Sequence, residues 1–410
     1  MPEFTNRGSK YLFEWQEYKL CAEVSRISQN HDSTKCQLLF TTTDPDCNPH
    51  LLQTRFNLES SRARSELAKD MLTRYKVKDQ TLDWKAILEY ISIKSIRESE
   101  QGEPVLLLTS EDEVGALEYL VKPIAPLYKP TVLFGDPGAG KSQLMVALNM
   151  LISLPWSNNP MRLGVPAKPV KALILDYEAD PDDIRRQLTS LVKGMDIGYL
   201  DLNYRRCSLP LADDLEAIKN HIEAIGATCI FIDSMSLAVG GELGSKEATA
   251  YFRTLRQLKD VTSISLAHTN KNRESKDKTI LGSVLFEAGA RSVWEVRGEE
   301  DDDALNIALF QRKANLSKKS QPLGYRITYE NDLPISISWF DPKSVPEFVE
   351  RMSNTQRILQ FLKDDPASEQ TIADALNITP VIVRVTLSRL KKKNVAIKVD
   401  NKWGLVTRFP

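Results

Sequence analysis

Cysteine is sparse in this sequence: five residues in 410, an odd number scattered along the chain. That excludes a disulfide framework and fits a reducing compartment. Charge of one sign is also missing. With 54 Lys and Arg against 55 Asp and Glu the formal net charge is -1, so the chain is not uniformly basic, and any nucleic-acid contact must come from local patches. No apolar run approaches the ~20 residues of a membrane span, and the opening MPEFTNRGSKYLFEWQ lacks the apolar core of a signal peptide. A cytoplasmic location with no membrane partner is therefore expected. What is present is the balance of a globular chain, 42% hydrophobic and 27% charged. The length suggests about two to four domains.

Histidine is rarer still, four in all, yet His31, Cys36, Cys47 and His50 fall close together. They could hold a zinc ion, although the spacing fits no familiar finger. Part-buried thiols and surface histidines in a strand region explain the same residues.

The stretch that organises the chain is residues 131–150, TVLFGDPGAGKSQLMVALNM. Gly135, Asp136, Pro137, Gly138, Ala139, Gly140, Lys141 and Ser142 match G-x-x-x-x-G-K-[ST] at every fixed position, and Gln143 opens a segment with helical apolar spacing. A short apolar run before the loop reads as a buried strand. The glycines let backbone N–H groups turn toward an anion at a helix N-terminus. Lys141 would reach the β- and γ-phosphates of ATP, and the Ser142 hydroxyl would join a Mg²⁺ shell.

Before this loop, residues 1–121 read as an α+β module. Phe13, Trp15, Leu20, Ala22 and Val24, then the run 36–42, predict short strands; residues 58–75 and 83–98 predict helices, and 105–108 a further strand. Arg62, Arg64, Lys69 and Arg74 form the polar side of the first helix, read as a solvated face in preference to a contact with DNA or a partner. Residues 122–130, KPIAPLYKP, read as an extended connector because of their three prolines.

From the loop onward apolar strands alternate with helices, which predicts that residues 122–345 form an α/β core with a mainly parallel sheet. The strand at 171–175 ends in Asp176, Tyr177 and Glu178; the strand at 228–232 ends in Asp233, in a Walker B pattern; the strand at 263–266 leads to His268. Strand ends of this kind are where open α/β sheets bind ligands. The five acids at 299–303 read as a solvated turn.

Taken together, GDPGAGKS, LILDYE, CIFIDS, LAHTNK and GSVLFEAGARSVW resemble the RecA-type core of the RepA and KaiC-like ATPases, nearest to RepA-type hexameric replicative helicases, over roughly residues 123–328. The resemblance implies a RecA-like fold in which the strand ending in His268 separates the P-loop strand from the Walker B strand. It implies Glu178 as the base that orients water, Asp233 with Ser142 as the Mg²⁺ holders, His268 as a γ-phosphate sensor, and Arg291 as an arginine finger entering a neighbouring subunit. Lys313, Ala314 and Asn315 match a later K-x-N segment in a supporting role. A homo-oligomer, by resemblance a hexamer, is implied as partner. Loops 240–247 and 270–279 would face a channel holding single-stranded DNA, the second carrying Lys271, Arg273, Lys276 and Lys278.

Residues 350–410 carry eleven Lys/Arg against six Asp/Glu. Helices at 355–362, 368–376 and 380–393, then strands at 395–399 and 402–406 around Asp400 and Asn401, predict a winged helix. Arg384, Ser388, Arg389, Lys391, Lys392 and Lys393 on its third helix would contact duplex DNA. The expectation is a Mg²⁺-dependent ATPase acting as a replicative helicase of a plasmid, phage or mobile element. The alternative is an ATP-gated DNA-binding regulator that does not unwind.

Overall fold

The computed structural model describes residues 2–7, 10–30, 33–76, 82–101, 107, 109–110, 115–270, 278–349, 352 and 354–406. The chain divides into two compact units, Met1–Gly115 and Ala116–Pro410.

In the first unit, β1 (Glu3–Asn6), β2 (Lys10–Trp15), β3 (Leu20–Asn30), β4 (Ser33–Thr42) and β5 (His50–Asn57) form an antiparallel sheet in sequence order. Alternation drives this arrangement: Phe13, Trp15, Leu38 and Phe40 turn inward onto α1 (Ser61–Arg74) and α2 (Trp84–Gln101), which bury Leu67, Met71, Trp84, Leu88 and Ile91. Ser60 caps α1, its hydroxyl accepting from the Ala63 N–H at 3.1 Å. Cys36 belongs to this core, and burial pushes its thiol up to about 12. Cys36 pairs with Phe56 while His50 pairs with Thr41, so the two stand well apart along the sheet. Among the described residues no group of three or more His, Cys, Asp or Glu could hold a metal ion; His31 lies outside them. Of the strand expected at 105–108, only Leu107 is described, and it is exposed.

The second unit is built on one nine-stranded sheet. It contains β8 (Pro130–Gly135), β9 (Ala172–Asp176), β10 (Asn203–Arg206), β11 (Cys229–Asp233), β12 (Thr262–His268), β13 (Ser292–Asp301), β14 (Ala304–Ala314), β15 (Leu323–Glu330) and β16 (Leu333–Phe340). Their order is β10-β9-β11-β12-β8-β13-β14-β15-β16. The pairs from β10 to β13 are parallel, and those from β13 to β16 antiparallel. β12 thus lies between the P-loop strand β8 and the Walker B strand β11.

Both faces of the parallel part are covered, which is why its strands read as unbroken apolar runs. Leu133, Ile174, Phe231 and Leu266 pack toward α3 (Lys141–Ser153) and α4 (Pro181–Gly194). Val132, Leu173, Ile230 and Ile232 pack toward α5 (Leu215–Ile225), α6 (Met235–Val239), α7 (Ser245–Gln257) and α8 (Leu285–Gly289). The proline-rich connector is not simply extended. It contains β7 (Ala125–Pro126), which pairs antiparallel with β6 (Tyr119–Val121) just before it, because Leu120, Val121, Ile124 and Ala125 are buried in the core beside α3.

A short helix α9 (Pro346–Val349) leads to α10 (Asn354–Asp364), α11 (Glu369–Leu376), α12 (Pro380–Lys392) and the hairpin β17 (Ala396–Val399) and β18 (Lys402–Leu405). The helices α10 to α12 and the hairpin share their own core of Ile358, Leu362, Ile372, Val383, Leu387, Leu390 and Trp403. Asp400 and Asn401, at φ 46° and 65°, make the left-handed turn that joins the strands. Among the described residues no helix is long and apolar enough to cross a membrane.

Candidate nucleotide site

The carboxyl ends of four parallel strands meet along one edge of the sheet. Gly135 is in register with His268, and Asp176 with Asp233. Each expected strand-end residue therefore arrives at the same edge, from separate strands.

The loop's glycines serve different ends. Gly138 and Gly140 take φ of 78° and 80°, left-handed values that other residues adopt only under strain. Gly135 is required by closeness instead: a Cβ there would run into the Val296 carbonyl oxygen of β13. Gly140 lies against Leu305 and Ile307, and Gly298 against Ala139, so the β13–β14 pair forms the wall on which the loop rests.

Lys141 is buried, and its ammonium donates to the carbonyls of Gly135 at 3.0 Å and Asp136 at 2.7 Å. Burial lowers its pKa, opposed by the charges of Asp233, Glu178 and Asp136. The Ser142 hydroxyl donates to Asp233 Oδ2 at 2.8 Å. Burial raises Asp233 to about 6; Ser142 and Lys141 counter that rise, while Glu178 and Asp176 add to it. Glu178 Oε2 stands 3.5 Å from His268 Nε2, and His268 Nδ1 is buried with no hydrogen-bond partner among the described residues.

Crowded carboxylates, an unsatisfied imidazole nitrogen and an ammonium folded onto its own loop fit a site for Mg²⁺ and a polyphosphate. Ser142 and Asp233 would hold the cation, which would supply positive charge beside the phosphates. Lys141 and His268 have the donors for the phosphate oxygens.

Three features of the site were not anticipated from the sequence. Asp176, fully buried, accepts the N–H groups of Glu178 and Ala179, both at 2.9 Å, and the Tyr204 hydroxyl at 3.1 Å. It fixes the turn that carries Glu178. Second, Asp136 of the loop is hydrogen-bonded by Thr269 and ion-paired with Lys278. Burial would raise Asp136, but those two partners outweigh it and hold the carboxyl below its usual range. Third, Glu295 on β13 is fully buried and paired with both Arg297 and Arg312. The first was signalled only by the D-Y-E run at the end of a strand; the other two depend on pairing across strands.

Arg291 is not at this edge. Its N–H donates to Pro130 O at 2.8 Å, and Ser292 pairs with Thr131, so it lies at the opposite end of β8, roughly 16 Å of strand from Gly135. Lys313 reaches the carbonyls of Glu287 and Ala288 at 2.8 and 2.7 Å, and the Asn315 N–H bonds Arg291 O at 3.1 Å. Of the two polar loops, 240–247 runs from the left-handed Gly240 into the start of α7. Residues 271–277 of the other lie outside the described residues, but Asn270 and Thr279 close its base at 2.9 Å.

A family model described as an AAA domain matches residues 98–274, less than half of the chain. The match spans the P-loop, Glu178, Asp233 and His268 and stops short of Arg291. With the sheet order and the loop geometry, it shows that the chain carries a P-loop ATPase-type, nucleotide-binding domain. Comparison with curated proteins gives no match.

Proposed function

We propose that the chain is a DNA motor of RecA-like type, working as a homo-oligomeric ring, and that it serves as a replicative helicase of a plasmid, phage or integrated element. In this reading Glu178 takes the proton of the attacking water, with the turn at Asp176 holding it in place. Lys141 moves from the loop carbonyls onto the phosphates, and His268 bonds the γ-phosphate through Nε2, the nitrogen that stands beside Glu178. Thr269, the next residue, bonds Asp136, and so does Lys278 from the base of the polar loop. Loss of the γ-phosphate would therefore reach a segment facing single-stranded DNA by a short path.

The observation that carries the reading is the location of Arg291, far from its own P-loop but exposed at the other end of the same strand. An arginine there cannot serve its own site and is available to a neighbour's. The C-terminal helices and hairpin are read as a winged helix that holds duplex DNA.

Strand displacement tests the proposal. Forked duplexes with 5′ and 3′ tails should be unwound by the wild-type chain with ATP and Mg²⁺, and not by Glu178→Gln. Hydrolysis with ATP-dependent duplex binding, but without displacement of either fork, would reject the motor and leave an ATP-gated regulator.

A further inference from the structure

The exposed face of α12 is not uniformly basic. Its first two turns present aliphatic side chains: Val381, Ile382 and Val385 are 68%, 42% and 43% exposed, although they head a helix whose opposite side, at Val383, Leu387 and Leu390, already fills the core. Val381, Val385, Ser388 and Lys392 follow one another at helical spacing, so the stripe passes from branched carbons to a hydroxyl to an ammonium. Arg389, Lys391, Lys392 and Lys393 crowd the far end, all exposed. Residues 375–399 hold six Lys/Arg and no Asp/Glu, an imbalance that suits a polyanion such as the DNA backbone.

Within those first two turns the side chain able to fork onto a guanine is Arg384, whose Nε is tied back while its terminal nitrogens stay at the surface. Its Nε donates to Glu369 Oε2 at 3.0 Å, and Glu369 also accepts the Trp403 indole N–H at 3.2 Å and lies 3.6 Å from Lys398. No Asn or Gln stands on residues 380–392 to read adenine. Apart from Arg384 the first two turns offer aliphatic surface, and the one apolar group that the major groove displays is the C5 methyl of thymine.

We propose that α12 recognises thymine methyl groups in the major groove of duplex DNA through Val381, Ile382 and Val385, with the basic end of the helix anchoring the phosphates. This rests on the winged-helix reading above. Phosphate contacts give affinity without sequence, and the aliphatic stripe gives a preference for thymine-bearing steps.

The test replaces the methyl and nothing else. Binding of the full chain to an alternating A·T 24-mer and to its deoxyuridine counterpart, without nucleotide, is followed by fluorescence anisotropy over a salt series. Burying one methyl is worth about fourfold in affinity, so two or three contacts predict a preference for thymine of roughly 15- to 60-fold. The salt slope should be the same for both duplexes. Val381→Ala/Val385→Ala, at exposed positions outside the core, should bring thymine binding most of the way down to the uridine level. A G·C duplex carrying 5-methylcytosine should bind better than its unmethylated form. Equal binding of the thymine and uridine duplexes overturns the inference while leaving duplex binding intact. Failure to bind either duplex at low salt overturns the winged-helix reading, and the inference falls with it.

Discussion

Asp176 and Glu178 stand two residues apart at the end of one strand, and their surroundings separate what each can do. Glu178 is half-exposed beside His268, whereas Asp176 is buried and committed to two backbone N–H groups. Glu178→Gln should leave nucleotide affinity unchanged and lower kcat by a factor on the order of 10² or more, as expected for loss of a general base. Wild-type turnover by that variant would remove Glu178 from the reaction. Asp176→Ala strands two N–H groups at roughly 1 to 3 kcal/mol each and frees the turn. Its kcat should drop too, and Asp176→Asn, which keeps the accepting oxygen, should recover most of it. Asp233 adds a pH dependence whose sign is fixed by its raised value. Its folded form holds a proton up to about 6 and its unfolded form only to about 4, so the ion-free protein loses stability as pH rises through that interval. Asp233→Asn removes a penalty of roughly 2 to 3 kcal/mol at pH 8. Without nucleotide or Mg²⁺, this variant should melt several degrees above wild type at pH 8, and the gap should close toward pH 4. A lower melting point at pH 8 would mean that the carboxylate is stabilised by partners other than Ser142 and Lys141.

At the scale of elements, the contact between β8 and β13 limits the loop. Gly135→Ala places a methyl against the Val296 carbonyl, and overpacking of this kind costs about 1 to 3 kcal/mol. Weakened nucleotide binding, by tenfold or more in a titration, should accompany the stability loss, since Val296 and the loop cannot both keep their places. A fully stable Gly135→Ala that binds normally would show that β13 yields instead. The sequence revealed the loop and the strand-end residues because that chemistry is local: a glycine pattern, a strand ending in a carboxylate, an apolar run of five; the order of the strands around them was implied by the family resemblance alone. It did not reveal β14, β15 and β16 as an antiparallel extension of the same sheet, since pairing between distant strands leaves no mark on either one. Glu295 shows the difficulty. Read alone it breaks an apolar strand, and only Arg297 across one residue and Arg312 on the next strand make its burial tolerable. The prolines of residues 122–130 misled in the other direction, because burial of Ile124 and Ala125 folded into β7, paired with β6, a segment whose composition suits a spacer.

For the whole molecule the question is whether one chain contains a complete site. An arginine held at the Pro130 end of β8 cannot reach phosphates bound at the Gly135 end, so any charge it contributes to the transition state must be contributed to another subunit. Specific activity should then rise with protein concentration, and mixing variants separates the two halves of a composite site. Arg291→Ala subunits keep their own Lys141 and Glu178, and Glu178→Gln subunits keep Arg291, so each alone should be nearly inactive. In a mixed ring, a site with an intact base can receive the arginine of a Glu178→Gln neighbour and recover. A finger of this kind is worth about 10³ or more in rate, so even a small fraction of correctly paired sites stands clear of the background. Mixing before assembly, with subunit exchange checked by fluorescence transfer between labelled chains, should restore a substantial part of wild-type turnover. If the subunits exchange and the mixture stays as inactive as its components, Arg291 has no role across an interface.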